Sequence, residues 1–323
     1  MEEPIIKNYT TTYRAAKKGE KFKQKYLTTK FLGGLFIEIF SYILILGIAF
    51  VIVYPLIRRV GNAFKPTVEF YDTSVVYFPR NPTLDIVKYA WRDMRVTSLG
   101  LSSLLFALYI GLSQVVSCTL VAYGLARFKF RGNNLIFLLV VFTLIVPPQA
   151  IKIPLYLNFR FFDVFNVLKM VRGTDLKLID TYWCQMIMST FCIGWKNGLY
   201  IYMLRQYFRG VPKELEESAY IDGAKTFRAF AQIMIPSAVP MMFTVFLFSF
   251  SWQWTDTYLT GTFLTFKRTV ATQILSITYA DNPITQMNVQ NTAVLILIIP
   301  LIVLFIITQR FFVEGVERSG LTG

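Results

Sequence analysis

Long apolar segments alternate with short charged segments along this chain, and the apolar segments have membrane-spanning length. Charged residues are absent from the stretches Ile39–Ile57, Val96–Ala126, Gly132–Ile151, Ala229–Thr255 and Asn282–Gln309. A run of about 18 or more residues with few charges is typical of a transmembrane helix. The pattern therefore predicts an all-α integral membrane protein.

The chain divides into six predicted transmembrane helices. They lie at about Gly34–Ile57, Leu101–Ala126, Asn133–Leu157, Thr181–Phe208, Ile235–Thr255 and Val289–Phe312. The predicted organisation is a tail (1–33), the first helix (34–57), an external loop (58–100), a five-helix core (101–312) and a second tail (313–323). Pro147 and Pro148 interrupt the third helix, because proline removes a backbone donor and kinks a helix.

Basic residues indicate the orientation of the chain. The short loop 127–132 carries Arg127, Lys129 and Arg131 and no acid, and short basic loops stay on the cytoplasmic side. Both termini are therefore predicted to be cytoplasmic, with the reverse orientation as the alternative. The lysine-rich tail 1–33 is predicted to contact anionic lipids, where each basic residue contributes about 1 kcal/mol.

Composition removes several classes of function. The 323 residues are 54% hydrophobic and 16% charged, and the net charge of +14 is spread over tails and loops instead of forming a nucleic-acid-binding face. The absence of histidine excludes imidazole catalysis and histidine metal ligands. Three cysteines without CxxC spacing predict no metal site, and no GxxxxGK[ST] loop is present to bind ATP. We predict no catalytic residue and no cofactor bound by this chain.

The segment between the fourth and fifth predicted helices, residues 211–236, carries the most informative pattern. Pro212 suits the start of a short helix, and the acids at 214, 216 and 217 favour its positive end. Gly223 allows a backbone conformation that residues with a Cβ rarely adopt. Phe227 and Phe230 then form an apolar stripe on a second short helix. Such a pair of helices outside the bilayer needs a partner surface.

This segment resembles the EAA loop of binding-protein-dependent ABC importer permeases, whose usual form is E-A-A-x3-G-x9-I-x-L-P. The matching residues are Glu217-Ser218-Ala219, Gly223 and Ile233-Met-Ile-Pro236, with serine in place of the second alanine. The neighbouring segments Pro212-Lys-Glu-Leu-Glu-Glu and Ile221-Asp-Gly-Ala224 resemble the carbohydrate-uptake, maltose-type branch. Further similar segments are Ala122–Gly132, Ile145-Val-Pro-Pro-Gln149 and Gln309-Arg-Phe-Phe-Val-Glu-Gly315.

The resemblance implies a type I ABC importer permease with six transmembrane helices, in the plasma membrane of a prokaryote. It also implies its partners: a second similar permease, two cytoplasmic ATPase subunits that use ATP and Mg²⁺, and an external sugar-binding protein. The loop would be the coupling helix that inserts into a groove on one ATPase. The residues expected to carry the coupling are Glu217, Ser218, Ala219, Asp222 and Gly223.

Polar and aromatic side chains inside the predicted helices are candidates for the substrate pathway, because sugars present hydroxyls around rings with apolar faces. The candidates are Gln114, Gln149, Lys196, Asn197, Gln253, Trp254 and Asn291, with Tyr123 and Tyr200 as further members. Packing between helices is the alternative role for each. Lys196 is hypothesised to line a water-filled cavity, since an ionisable group in a span is costly; snorkelling and pairing with an acid of a partner subunit are the alternatives. Trp252 and Trp254 are expected at the outer aromatic belt.

Other classes of membrane protein remain as alternatives. A secondary transporter needs coupling acids in its spans or an internal repeat, and Glu38 is the one acid well inside a predicted boundary. A membrane-bound enzyme needs a catalytic constellation, which is not visible in the sequence. Within the ABC family, an importer of a solute other than a sugar is the closer competitor.

Overall fold

The computed structural model describes residues 29–163, 169–170, 173–279 and 282–320. Within these residues the chain is helical, apart from turns and an isolated β-bridge between Phe162 and Leu176. Most of the predicted N-terminal tail, with its expected lipid contact, lies outside the described residues, as does the very end of the C-terminal tail.

The helices are numbered here in chain order. Their bounds are α1 Thr29–Ala63, α2 Asp85–Asp93, α3 Val96–Arg127, α4 Asn133–Phe142, α5 Pro148–Arg160, α6 Trp183–Thr190, α7 Asn197–Gly210, α8 Glu214–Ile221, α9 Thr226–Ala229, α10 Ile235–Thr255, α11 Tyr258–Phe263, α12 Val270–Ile274 and α13 Pro283–Gly320. A π-helical segment, Phe230–Met234, joins α9 to α10.

Four helical segments in the described part of the chain are long and apolar enough to cross a membrane. They are Phe36–Ala63, Val96–Arg127, Thr226–Thr255 and Pro283–Phe311, and they match the first, second, fifth and sixth predicted helices. Helices α1, α3 and α13 extend past the predicted boundaries, and α1, for example, continues beyond residue 57 to Ala63. Helix α10 has the predicted bounds. The length of the apolar run indicates which part of a helix lies in the hydrocarbon core. The helical hydrogen bonding continues beyond it into charged residues such as Arg58 and Arg59.

The third predicted helix is interrupted at the predicted prolines. Helix α4 ends at Phe142 and α5 begins at Pro148. Between them, Pro147 has an extended backbone with φ −69° and ψ 138°. A proline disfavours the helical conformation in the residue before it, so Pro148 accounts for the extended Pro147.

A continuous fourth helix over Thr181–Phe208 is wrong. The segment consists of α6 and α7, separated by residues 191–196, in which Cys192 has a left-handed backbone with φ 59°. The pattern of apolar residues along this segment does not reveal the break. Irregular backbone at membrane depth is tolerated where it is buried in protein or lines a cavity. The break therefore marks a place where the helices surround internal space.

Helix α3 lies at the centre of the bundle, against α7 on one side and α10 on the other. Cys118, Leu204 and Met241, one from each helix, are at most 1% exposed in the same cluster. Gly198 lets α7 approach α4 closely, because a Cβ at this position would lie 2.9 Å from the Val140 carbonyl oxygen. Helix α1 lies against α13 and exposes apolar side chains elsewhere, as a lipid-facing helix does.

Candidate coupling and translocation sites

A buried ion pair anchors α8 to the end of α3. Arg127 Nε lies 3.0 Å from Glu216 Oε2, and both side chains are less than a tenth exposed. Tyr123 donates its hydroxyl to the other carboxylate oxygen of Glu216 at 2.8 Å. Arg127 also donates to the Val211 carbonyl at 2.7 Å. Because these contacts are enclosed and charge-assisted, α8 and α3 move together.

Helix α8 ends in a Schellman motif centred on Gly223. The glycine has φ +83°, Ala224 N–H donates to the Ala219 carbonyl at 2.9 Å, and Gly223 N–H donates to the Tyr220 carbonyl at 3.1 Å. A Cβ at Gly223 would meet nothing within 4 Å in this chain. The glycine is therefore required here for its left-handed backbone and not by close packing within the chain.

The outer side of the loop 211–236 presents both apolar and polar groups. Ile221 is 86% exposed and Phe227 is 77% exposed. Among the predicted coupling residues, Glu217, Ser218, Asp222 and Gly223 are exposed, whereas Ala219 is buried against the rest of the loop. The predicted stripe of Phe227 with Phe230 is wrong, because Phe230 is buried against Tyr123 with ring centroids 4.5 Å apart. Phe230 holds the loop and Phe227 faces outward.

A cavity of about 340 Å³ lies where the break between α6 and α7 faces α3 and α10. Its lining is mixed, with amides, hydroxyls, aromatic rings and two charged groups. Residues that contribute to it include Gln114, Gln185, Lys196, Ser249, Trp252 and Asp256. This volume and mixed lining are within the range of small-molecule sites in proteins.

The structure brings several of the sequence-predicted pathway residues together at this cavity. Gln114, Lys196, Gln253 and Tyr200 line it. Asn197 lies directly behind, 1% exposed, where it accepts a hydrogen bond from Gln114 Nε2 at 2.7 Å. The position of Lys196 is consistent with its hypothesised role at a water-filled cavity.

Other predicted residues lie elsewhere. Trp254 is buried between α10 and α13, where its Nε1–H donates to the Leu297 carbonyl at 2.8 Å, so its expected place in an outer aromatic belt is wrong. Gln149 is exposed in the first turn of α5, and Asn291 is half-buried on α13; neither lines the cavity. Helical periodicity did not indicate which polar groups turn inward. Their assignment to a substrate pathway stays a prediction.

Sequence reasoning missed a cluster of polar groups on one wall of the cavity. Gln185 Nε2 donates to Gln253 Oε1 at 3.2 Å and to Thr260 Oγ1 at 3.0 Å. Asp256 Oδ2 accepts from the same Thr260 hydroxyl at 2.8 Å. Part of this cluster could have been expected from the sequence, because Asp256 lies just before a short helix, where an aspartate commonly caps the first N–H groups. The meeting with Gln185, 75 residues from Thr260, required the tertiary structure.

Replacing Gln114 with leucine is expected to destabilise the bundle by about 1 to 3 kcal/mol. The change removes the hydrogen bonds that Gln114 makes with Asn197 and Ser249 and leaves the buried Asn197 oxygen without a donor. Thermal unfolding in detergent measures the effect. Gln149→Leu is the control, because its exposed side chain predicts a change within about 0.5 kcal/mol. Equal effects of the two changes would contradict the central position of Gln114.

Metal-binding clusters are absent from the part of the chain that the structure describes. No three residues among histidine, cysteine, aspartate and glutamate come together there in a way that could hold an ion. The described residues form two candidate sites, which are a helical loop fixed to α3 and a polar cavity beside the same helix.

The comparisons with known proteins identify the family. Residues 118–318 match the model of the binding-protein-dependent transport system inner membrane component, and the chain belongs to this family. The matched region begins within α3 and includes the loop 211–236 and the cavity-lining helices α6, α7 and α10.

Curated relatives cover almost the whole chain. It is 28% identical over 292 residues to the galactooligosaccharides transport system permease protein GanQ of Bacillus subtilis (strain 168), covering 88% of this chain and 95% of GanQ. It is 29% identical over 289 residues to the maltodextrin transport system permease protein MdxG of the same organism, covering 88% and 96%.

A solved structure shares the fold. A bacterial ABC transporter involved in the import of the acidic polysaccharide alginate contains a chain that superposes with a TM-score of 0.66 at 19% identity, covering 87% of this chain and 98% of that one. The predicted all-α importer permease fold is confirmed. The third and fourth predicted membrane segments each consist of two shorter helices, α4 with α5 and α6 with α7.

Proposed function

We propose that this chain is the transmembrane permease subunit of an ATP-driven importer and forms half of a translocation pathway for a sugar or oligosaccharide. The similarity to GanQ, a galactooligosaccharides permease, and to MdxG, a maltodextrin permease, supports a saccharide substrate. An external binding protein delivers the substrate, a second permease completes the pathway, and two ATPase subunits use ATP and Mg²⁺. The chain itself is non-catalytic. It is a multi-pass protein of a prokaryotic plasma membrane with both termini in the cytoplasm.

The observation that carries the proposal is the rigid connection between the loop and the cavity. The ion pair of Arg127 with Glu216 fixes α8 to one end of α3, and Gln114 of the same helix lines the cavity. When ATP binding closes the ATPases, a helix seated on one of them displaces α3. Packed helices have discrete arrangements, so such a displacement switches the access of the cavity from one side to the other.

The exposed groups of the loop suit a protein partner. Ile221 and Phe227 expose apolar surface on the loop, and Glu217 and Asp222 flank them with charge. Apolar surface surrounded by polar residues is typical of an interaction site. The loop is thus proposed to be the coupling element, with Gly223 setting the direction in which the chain leaves α8.

Reconstitution of the whole importer tests this function. The complex of this chain with its partner permease, ATPases and binding protein is placed in vesicles, and ATP hydrolysis is measured with a panel of mono- and oligosaccharides. At least one saccharide is expected to stimulate hydrolysis several-fold and to accumulate inside. Stimulation by amino acids or peptides and by no saccharide would assign another solute. Transport by this chain without ATPase subunits would indicate a secondary transporter.

A further inference from the structure

Lys196 is held in the cavity by two indole rings. Its Nζ lies 3.7 Å from the centroid of Trp252 and 4.0 Å from the centroid of Trp195. Both tryptophans line the cavity together with the lysine. Cation–π attraction retains the positive charge at this position but satisfies none of the three N–H donors of the ammonium group.

No carboxylate pairs directly with Lys196 among the described residues. In the described part of the chain, no carboxylate oxygen lies within 4.0 Å of Lys196 Nζ. Asp256 interacts with Lys196 only at longer range. The oxygens of Asp256 are already engaged. Oδ1 accepts from the backbone N–H groups of Tyr258 and Leu259, and Oδ2 accepts from the N–H and hydroxyl of Thr260. Asp256 therefore caps α11, and the donors of Lys196 remain available to a ligand.

A second lysine contributes positive charge at the edge of the same cavity. Lys152 of α5 places its Nζ 4.5 Å from the ring centroid of Tyr258, and Tyr258 lines the cavity. Asp256 is the acid that lines this cavity, so the two lysines give the cavity and its edge a net positive charge. An ionisable group within a membrane segment is costly, so two cations near one cavity indicate a functional demand for positive charge.

The other wall of the cavity suits hydroxyl groups. Gln185 and Gln253 line this wall and hydrogen-bond to each other at 3.2 Å. Both also donate to the hydroxyl of Thr260, which is fully buried behind them, at 3.0 and 3.1 Å. Amides both donate and accept, as sugar hydroxyls do. The cavity therefore combines a neutral hydrogen-bonding wall with one cationic position.

We propose that this cavity selects saccharides that carry a carboxylate, and that Lys196 is the specificity-determining residue that binds the carboxylate during passage. The inference rests on the proposed function and specifies its substrate class. The carboxylate accepts charge-assisted hydrogen bonds from Lys196 Nζ, and the ring hydroxyls contact the amide wall. A neutral saccharide offers the ammonium no charged acceptor.

The test compares each acidic saccharide with its own neutral counterpart. Oligomers of galacturonate, glucuronate and mannuronate are used beside the same oligomers after reduction of each carboxylate to a hydroxymethyl group, so that length and linkage are unchanged. Uptake and stimulated ATP hydrolysis are measured with the reconstituted importer. Lys196→Met removes the charge and keeps the stem, Lys196→Arg keeps the charge, and Lys88→Met, on the exposed side of α2, is the matched control.

The expected result is at least one acidic oligomer transported at least 10-fold more efficiently than its reduced form. Lys196→Met is expected to lower that efficiency about 10-fold or more, Lys196→Arg to restore much of it, and Lys88→Met to leave it unchanged. Transport of neutral saccharides alone, or an unaffected Lys196→Met variant, would overturn the inference and leave the proposed function standing. If no saccharide stimulates the importer, both fail. Thermal unfolding of Lys196→Met distinguishes a structural role, because a destabilised variant that loses acidic and neutral uptake equally also overturns the inference.

Discussion

Replacing Gly223 with aspartate is expected to lower coupled uptake 10-fold or more, while the chain still folds and inserts into the membrane. Folding is retained because a side chain at this position meets nothing within 4 Å in this chain. Uptake is lost for two reasons. The left-handed backbone at φ +83° strains a residue with a Cβ by about 1 to 2 kcal/mol, and a negative charge is unfavourable at the C-terminal end of α8.

The matched substitutions at Gly223 separate these two causes. Gly223→Asn has nearly the shape of aspartate without its charge, and asparagine tolerates the left-handed region. Gly223→Ala introduces the strain with a minimal side chain. We expect the order of uptake to be glycine, asparagine, alanine and then aspartate. Measurements of sugar uptake, ATP hydrolysis and ATPase co-purification on the same preparations show whether assembly or coupling is lost. Normal uptake by Gly223→Asp would refute the coupling role of this loop.

Replacing Glu216 with glutamine is expected to destabilise the protein by about 3 kcal/mol or more and to separate ATP hydrolysis from uptake. The change leaves Arg127 buried without a counter-ion, and removal of one partner from a buried ion pair is strongly destabilising. It also weakens the bond from the Tyr123 hydroxyl. Because the ion pair fixes α8 to α3, its loss is expected to reduce the transmission of movement to the cavity.

The control for Glu216 lies in the same helix. Glu214→Gln changes an exposed acid in the first turn of α8 and is expected to cost less than about 1 kcal/mol, since it alters only the interaction with the helix dipole. Denaturant titration in mixed micelles measures the free energy of unfolding, and uptake assays measure the coupling. Equal stability of the two variants would show that the ion pair contributes nothing to holding α8 against α3.

Much of this fold follows from local features of the chain. An apolar run that is long enough to cross the hydrocarbon core predicts a membrane helix, because backbone groups in lipid must be hydrogen-bonded within the segment. The helices α1, α3, α10 and α13 were therefore predictable, as was the interruption at Pro147 and Pro148. The coupling loop was predictable for a similar reason, because a cluster of acids, a glycine and a proline define helix ends over a few residues.

Other features depended on contacts between distant segments. The break between α6 and α7 could not be recognised from the length of the apolar segment. Its position became clear only from the structure, in which Lys196 contacts Trp252 of α10. Phe227 and Phe230 have the same side chain at helical spacing, yet one is exposed and the other is buried against Tyr123. Burial of a given face depends on which helix lies beside it, and the spacing of residues along one helix does not contain that information.

The sequence by itself determined that this protein spans a membrane, that its loop 211–236 contains a helix that ends near Gly223, and that it resembles a binding-protein-dependent importer permease. Only the tertiary structure decided which polar groups share a cavity, because Gln114, Gln185, Lys196 and Gln253 come from four separate segments. It also decided that Trp254 packs between helices and that Glu216, among neighbouring acids, is the one that binds Arg127. The physical reason is that local hydrogen bonding and apolar length act over a few residues, whereas cavities and buried ion pairs form between helices that are distant along the chain.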